Sequence, residues 1–198
     1  MTPETILDFW FGSDADDAAV AKERANLWWS KNKETDDQIR RCFEIYVILA
    51  VSEQMKDWLS MPRGRLALIL LTDQFPRNIY RDTARAFSYD EKALTWCIEG
   101  LEQKADRDLR PIERVFFYLP LEHAEYIEHQ ELSLKCFREL VSTVPAEQRP
   151  VFEEYLVYAI RHRDIIARFG RFPHRNKILG RESNAAELAF LAESGSSF

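Results

Sequence analysis

The residues of this chain best suited to chemistry are arginines and histidines, and they are unevenly spread. Between residues 161 and 181 there are six Arg and one Lys against a single acid, Asp164, in a chain of net charge −6. The planar guanidinium suits bidentate recognition of carboxylate or phosphate better than an ammonium does. The segment reads Arg168-Phe169-Gly170-Arg171-Phe172-Pro173-His174-Arg175-Asn176. An earlier stretch, Asp73-Gln74-Phe75-Pro76-Arg77-Asn78-Ile79-Tyr80-Arg81, has the same plan: a helical pattern runs into Phe-Pro, then a cation and an Asn. Asp73 lies four residues before Arg77, within its reach. Arg77, Asn78, Arg81, Arg168, Arg171, His174, Arg175 and Asn176 are therefore candidate ligand-binding residues. The partner they suit is an acidic peptide, an acidic protein or a small anion.

Internal neutralisation competes with that reading. Cations at a helix C-terminus gain roughly 0.3–1 kcal/mol each from the dipole. Buried arginines can also tie a junction to carboxylates on neighbouring helices, such as Glu122 or Glu125.

His123 sits in Leu119-Pro120-Leu121-Glu122-His123-Ala124-Glu125. A histidine flanked by acids can serve as a general base, and a hydrogen-bonded structural histidine has the same signature. His123, Glu125 and His162 are the catalytic candidates, and whether the chain is an enzyme stays open. His123 has Tyr126 and Ile127 at i+3 and i+4, so no metal pair forms on its helix. Cys42, Cys97 and Cys136 are far apart and show neither disulfide nor zinc spacing. No glycine-rich phosphate loop occurs, and no motif calls for a metal or cofactor. The acidic balance argues against nucleic acid as a partner.

The elements that must position these residues read as helices throughout. Thr2 and Pro3 open a first helix that Gly12 stops, and Ser13-Asp14 opens a second running to Trp29. Thr35-Asp36-Asp37 precedes a third, and Ser52 restarts a short one ending near Leu59. Pro62 opens a helix apolar at nearly every position from Leu66 to Leu71, which predicts burial on most sides. Proline disfavours helical geometry in the residue before it, so this helix is expected to end at Phe75, with its ring anchored in the core. Ser88 with Glu91 reads as a capping box. Pro111 and Pro120 each suit the first position of a helix. Pro145 precedes a long helix that Gly170 stops, Ser183 or Asn184 caps the last, and the Ser194–Ser197 tail is expected to fray.

No run sustains the alternation of a strand. The fold class is all-α, one domain over residues 1–198, with short connections that make neighbours antiparallel. No apolar run approaches the ~20 residues of a membrane span, and the start lacks a secretory pattern, so a cytoplasmic protein is expected. The oligomeric state is open. The two Phe-Pro prolines stand 97 residues apart, close to half the chain. A duplication would explain that, although few apolar positions outside the junctions match.

Ile6 to Gly12, Leu66 to Arg81, Tyr118 to Glu125 and Arg168 to Arg181 together resemble a bacterial family of unknown function marked by DQFPRN and RFGRFPHRN. That resemblance implies a fold similar to tetratricopeptide-repeat proteins: antiparallel helix pairs stacked in a right-handed superhelix. No clean repeat of that length is visible here. The family's middle motif reads Met-His-Ser-Glu. Here Glu122-His123-Ala124-Glu125 keeps the His and the last Glu and lacks the hydroxyl, so any role for it would fall to His123 and Glu125 alone.

Overall fold

The computed structural model describes residues 1–196. These residues form helices and turns, with no strand among them. The α-helices are α1 (Pro3–Phe11), α2 (Asp17–Trp29), α3 (Lys33–Val51), α4 (Pro62–Ile69), α5 (Phe75–Ile79), α6 (Asp90–Glu102), α7 (Pro111–His123), α8 (Ile127–Thr143), α9 (Arg149–Phe169) and α10 (Ala185–Leu191). Short 3-10 turns bridge several of them.

The start signals hold at α1, where Thr2 and Pro3 stand at the cap and first turn and Gly12 closes the helix at φ +74°. They hold as well at Pro62, Pro111, Gly170 and Asn184, while other caps shift. Asp16 accepts from the Ala18 and Ala19 N–H groups and starts α2 in place of Ser13-Asp14, because its carboxylate reaches two orphan donors. Asn32 does the same for Glu34 and Thr35, so α3 starts before Thr35. Ser88 caps nothing: its hydroxyl turns back to the Ala84 carbonyl. Pro120 lies inside α7, since Pro111 has already opened that helix. At the end of the chain, the Ser196 hydroxyl donates to the Leu191 carbonyl, and Ser197 lies outside the described residues.

The largest departure is at Phe75. The helix does not stop there. A π-helical turn, Leu70–Gln74, joins α4 to α5, and the Phe75 N–H donates to the Leu70 carbonyl five residues back. Pro76 has no N–H to offer, and the wider turn absorbs that loss without ending the helix. One extra residue in the turn rotates everything after it by about 100°. It therefore decides which way Asp73, Gln74 and Arg77 face.

Leu66 to Leu71 are fully buried, as the apolar run requires. Phe75 enters the main core beside Trp10 at 5.2 Å and Phe43 at 4.9 Å between ring centroids, and Trp10 stands 5.6 Å from Phe116. The helices α7, α8 and α9 pack in succession through short connections. The second Phe-Pro junction is anchored differently. Phe172 is buried with Ile165 and Ile166 in a small cluster separate from the main core.

Phe75→Ala should cost about 3–5 kcal/mol in urea denaturation, because the vacated aromatic site is walled by other rings and collapses poorly. Phe172→Ala should cost less, because its cluster has fewer apolar members.

Candidate functional site

Three stretches far apart in sequence meet around one buried carboxylate. Asp73 is fully buried on the π-helical turn. Its Oδ1 is 2.7 Å from His123 Nδ1, at the end of α7. Its Oδ2 accepts from the Gln74 amide at 2.5 Å. Arg77, one turn on, donates to the Asp73 carbonyl at 2.7 Å and stands 3.5 Å from the carboxylate. Arg77 then grips Asp90, at the start of α6, with two parallel bonds of 2.9 and 3.1 Å.

Burial alone would push the Asp73 carboxyl up, but the Arg77 guanidinium and His123 outweigh it and hold it well below the carboxylate range. Burial, and Arg77 with it, lowers the His123 imidazole. The pair is therefore an ionised carboxylate beside a neutral imidazole. Such a carboxylate only accepts, so the hydrogen of His123 is on Nδ1 and the lone pair is on Nε2. The ring keeps 14 % side-chain exposure.

A second carboxylate–histidine pair lies alongside. His162 Nδ1 is 3.0 Å from Glu122 Oε1 and 2.9 Å from the Tyr158 carbonyl. Its ring centroid is 6.3 Å from that of His123 and 5.5 Å from that of Phe172, which is 5.6 Å from His174. The 3-10 turn Pro173–Arg175 brings in the last member. Arg175, only 6 % exposed, lies between the rings of Phe87 at 4.7 Å and Phe172 at 4.6 Å. It stands 3.4 Å from Asp90, and its Nε has no hydrogen-bond partner among the described residues. Burial, with Arg77 adding to it, draws this guanidinium down to about 10.

Of the candidates named from sequence, Arg77, His123, His162, His174 and Arg175 come together here. Glu125 lies at the edge. It accepts from the Phe172 N–H at 2.8 Å and from Arg181 at 2.6 and 2.9 Å. Burial pushes its carboxyl up, and those hydrogen bonds win and leave it lowered. The other candidates are turned elsewhere. Asn78 and Arg81 both donate to Asp36 of α3. Arg171 grips Glu187 at 2.6 and 2.9 Å, and Arg168 lies over Phe169 at 4.7 Å. Asn176 links Ser183 to Arg181. Much of the cationic segment is thus neutralised internally.

Asp90, Phe87 and Arg181 are missing from the sequence candidates. Asp90 reads there only as part of a helix start, and nothing local marks it as the carboxylate shared by two arginines. The described residues include no cluster of three or more metal-ligating groups. None of their helices is long and apolar enough to cross a membrane.

Acid should weaken the fold through the histidines first. Burial, and Arg175 with it, pushes His174 down to about 3, and His123 is lowered too. Unfolded histidine takes a proton near pH 6.5 while the folded rings do not, so stability is full above that pH and falls below it. Asp73 is lowered as well, so it too weakens the fold on acidification, but only below about pH 4, where the unfolded carboxylate takes its proton. His174 contributes a slope of up to about 1.4 kcal/mol per pH unit between pH 6 and 4.5. Urea midpoints across that range should fall less steeply in His174→Gln than in wild type. An unchanged slope would show that His174 titrates normally.

A search of the curated proteins finds no match. Among solved structures, the protein of unknown function ATU0120 from Agrobacterium tumefaciens superposes with a TM-score of 0.76 at 35% sequence identity. The match covers 90% of this chain and 100% of that one. A family model described as "Bacterial protein of unknown function (DUF924)" matches residues 6–195, a span that contains all three converging stretches. The chain belongs to that family.

Proposed function

We propose that the chain binds a small molecule bearing a carboxylate or phosphate group at this cluster, with Arg175 as its charge partner. The observation that carries the reading is the incomplete pairing of Arg175. The carboxylate it bonds among the described residues, Asp90, is already held bidentately by Arg77, and its Nε is buried without a partner there. A buried donor left unmet costs about 1–3 kcal/mol, and more on a charged group. Such a cost is expected where a ligand supplies the missing acceptor. The convergence of Arg77, His123, His174 and Arg175 on one cluster favours a small anion over a long acidic peptide.

Titration calorimetry at pH 7 with inorganic phosphate, succinate and an acidic peptide tests this. Phosphate or succinate should bind the wild type, and Arg175→Gln should lose at least about tenfold in affinity. Equal affinity in the two proteins would remove Arg175 from the site. Tighter binding of the peptide than of either small anion would favour a helical scaffold for an acidic partner instead.

The Asp73–His123 pair supports a second reading, in which the bound molecule also gives up a proton. A carboxylate at Nδ1 orients an imidazole and leaves Nε2 as the base, the arrangement that general-base catalysis uses. Nitrogen-15 spectra at pH 7 should show His123 neutral with its hydrogen on Nδ1. An imidazolium, or a hydrogen on Nε2, would end the base role.

A further inference from the structure

The cluster is closed. Arg175 is almost wholly covered, so an anion cannot reach it while residues 171–181 stay where they are. That segment begins and ends at glycines in the left-handed region, Gly170 at φ +69° and Gly180 at φ +67°. A side chain added at either would meet nothing within 4 Å, so neither backbone is wedged in place. Between these two points Phe172, Pro173, Arg175 and Asn176 are buried, while Lys177, Leu179 and Gly180 are exposed. Phe172 is its apolar plug, in the small cluster apart from the main core. Arg175 is held loosely by Asp90.

The hold that joins both ends of the segment is Glu125. One of its oxygens accepts from the Phe172 N–H, and both accept from Arg181, so a single carboxylate ties the start of the segment to its end. Arg181 closes the ring by donating to the Phe172 carbonyl at 3.2 Å and to Asn176 at 2.9 Å. The segment is therefore fastened to the end of α7 through Glu125 and to α10 through Arg171 and Glu187, and carries the under-paired arginine between its ends.

We infer that residues 171–181 form a strap clasped by Glu125, and that release of the clasp admits the anionic ligand to Arg175. This rests on the ligand reading above and adds to it how the site opens. The strap lifts about its glycine ends as a local unit, while α4 to α7 stay packed. Glu125 is thus a positioning residue: it sets where the strap holds Arg175 and need not touch the ligand.

Hydrogen exchange on the full chain at pH 7, with and without saturating inorganic phosphate, tests both parts. In Glu125→Gln the amides of 172–181 should exchange on the order of tenfold faster, with those of α4 and α7 unchanged. Phosphate should slow the same strap amides in wild type. In Arg181→Lys, which keeps the charge and loses the fork, the strap should loosen to an intermediate degree. Faster exchange everywhere in Glu125→Gln would overturn the clasp, because Glu125 would then support the whole fold. No change in the strap would overturn it equally. A loosened strap in the variant with no phosphate effect in wild type would sink the ligand and its admission, and leave the clasp standing.

Discussion

The buried carboxylate of Asp73 is the constraint around which this molecule is arranged. An isolated charge at that depth would cost many kcal/mol, so the fold must surround it with donors. It does so from three directions: Gln74 from the adjoining position, Arg77 from the next turn, and His123 from α7. Each donor imposes a further demand. Arg77 needs a partner for its other nitrogens and takes Asp90, which seats the start of α6. His123 must present Nδ1, which fixes the end of α7 against the π-helical turn. The identity of one side chain thus propagates into the placement of three helices.

The two Phe-Pro junctions share a sequence plan and have different physical roles. At the first, the helix continues through the proline because a π-helical turn absorbs the missing N–H, and Phe75 enters the main aromatic core. At the second, Gly170 ends α9 and the chain leaves as a strap whose Phe172 has only a small cluster of its own. One junction is rigid because its ring is walled by other rings. The other is bound by polar groups that water can replace. The rigid junction carries the carboxylate and the strap carries the under-paired cation, so the two charges central to the site have unequal freedom to move.

The cationic segment illustrates how local charge misleads. Its net charge suggests one broad anion-binding surface. Arg171, Arg181 and Arg163 instead meet Glu187, Glu125 and Glu131. Hydrogen bonds from Arg171 and the Asn184 N–H hold Glu187 down to about 2, a carboxylate firmly committed to its partner. Arg175 stands apart because its position between Phe87 and Phe172 allows it one long contact with a carboxylate that Arg77 has already engaged.

Sequence by itself determined the helical class, the buried Leu66–Leu71 run, the anchoring of Phe75 and the reach from Asp73 to Arg77. Each depends on periodicity or on neighbours within one helical turn, which local spacing encodes. It also singled out His123, His162, His174 and Arg175, because unusual residue types stand out wherever they sit. Tertiary structure alone decided that these four converge, that Asp90 is shared by two arginines, and that Glu125 binds the strap. Those pairings span 13 to 85 residues of chain, and no periodicity relates residues on different elements. It also decided that the helix survives Pro76. A local rule gives the cost of a proline, and only the surrounding core determines whether a π-helical turn can meet it.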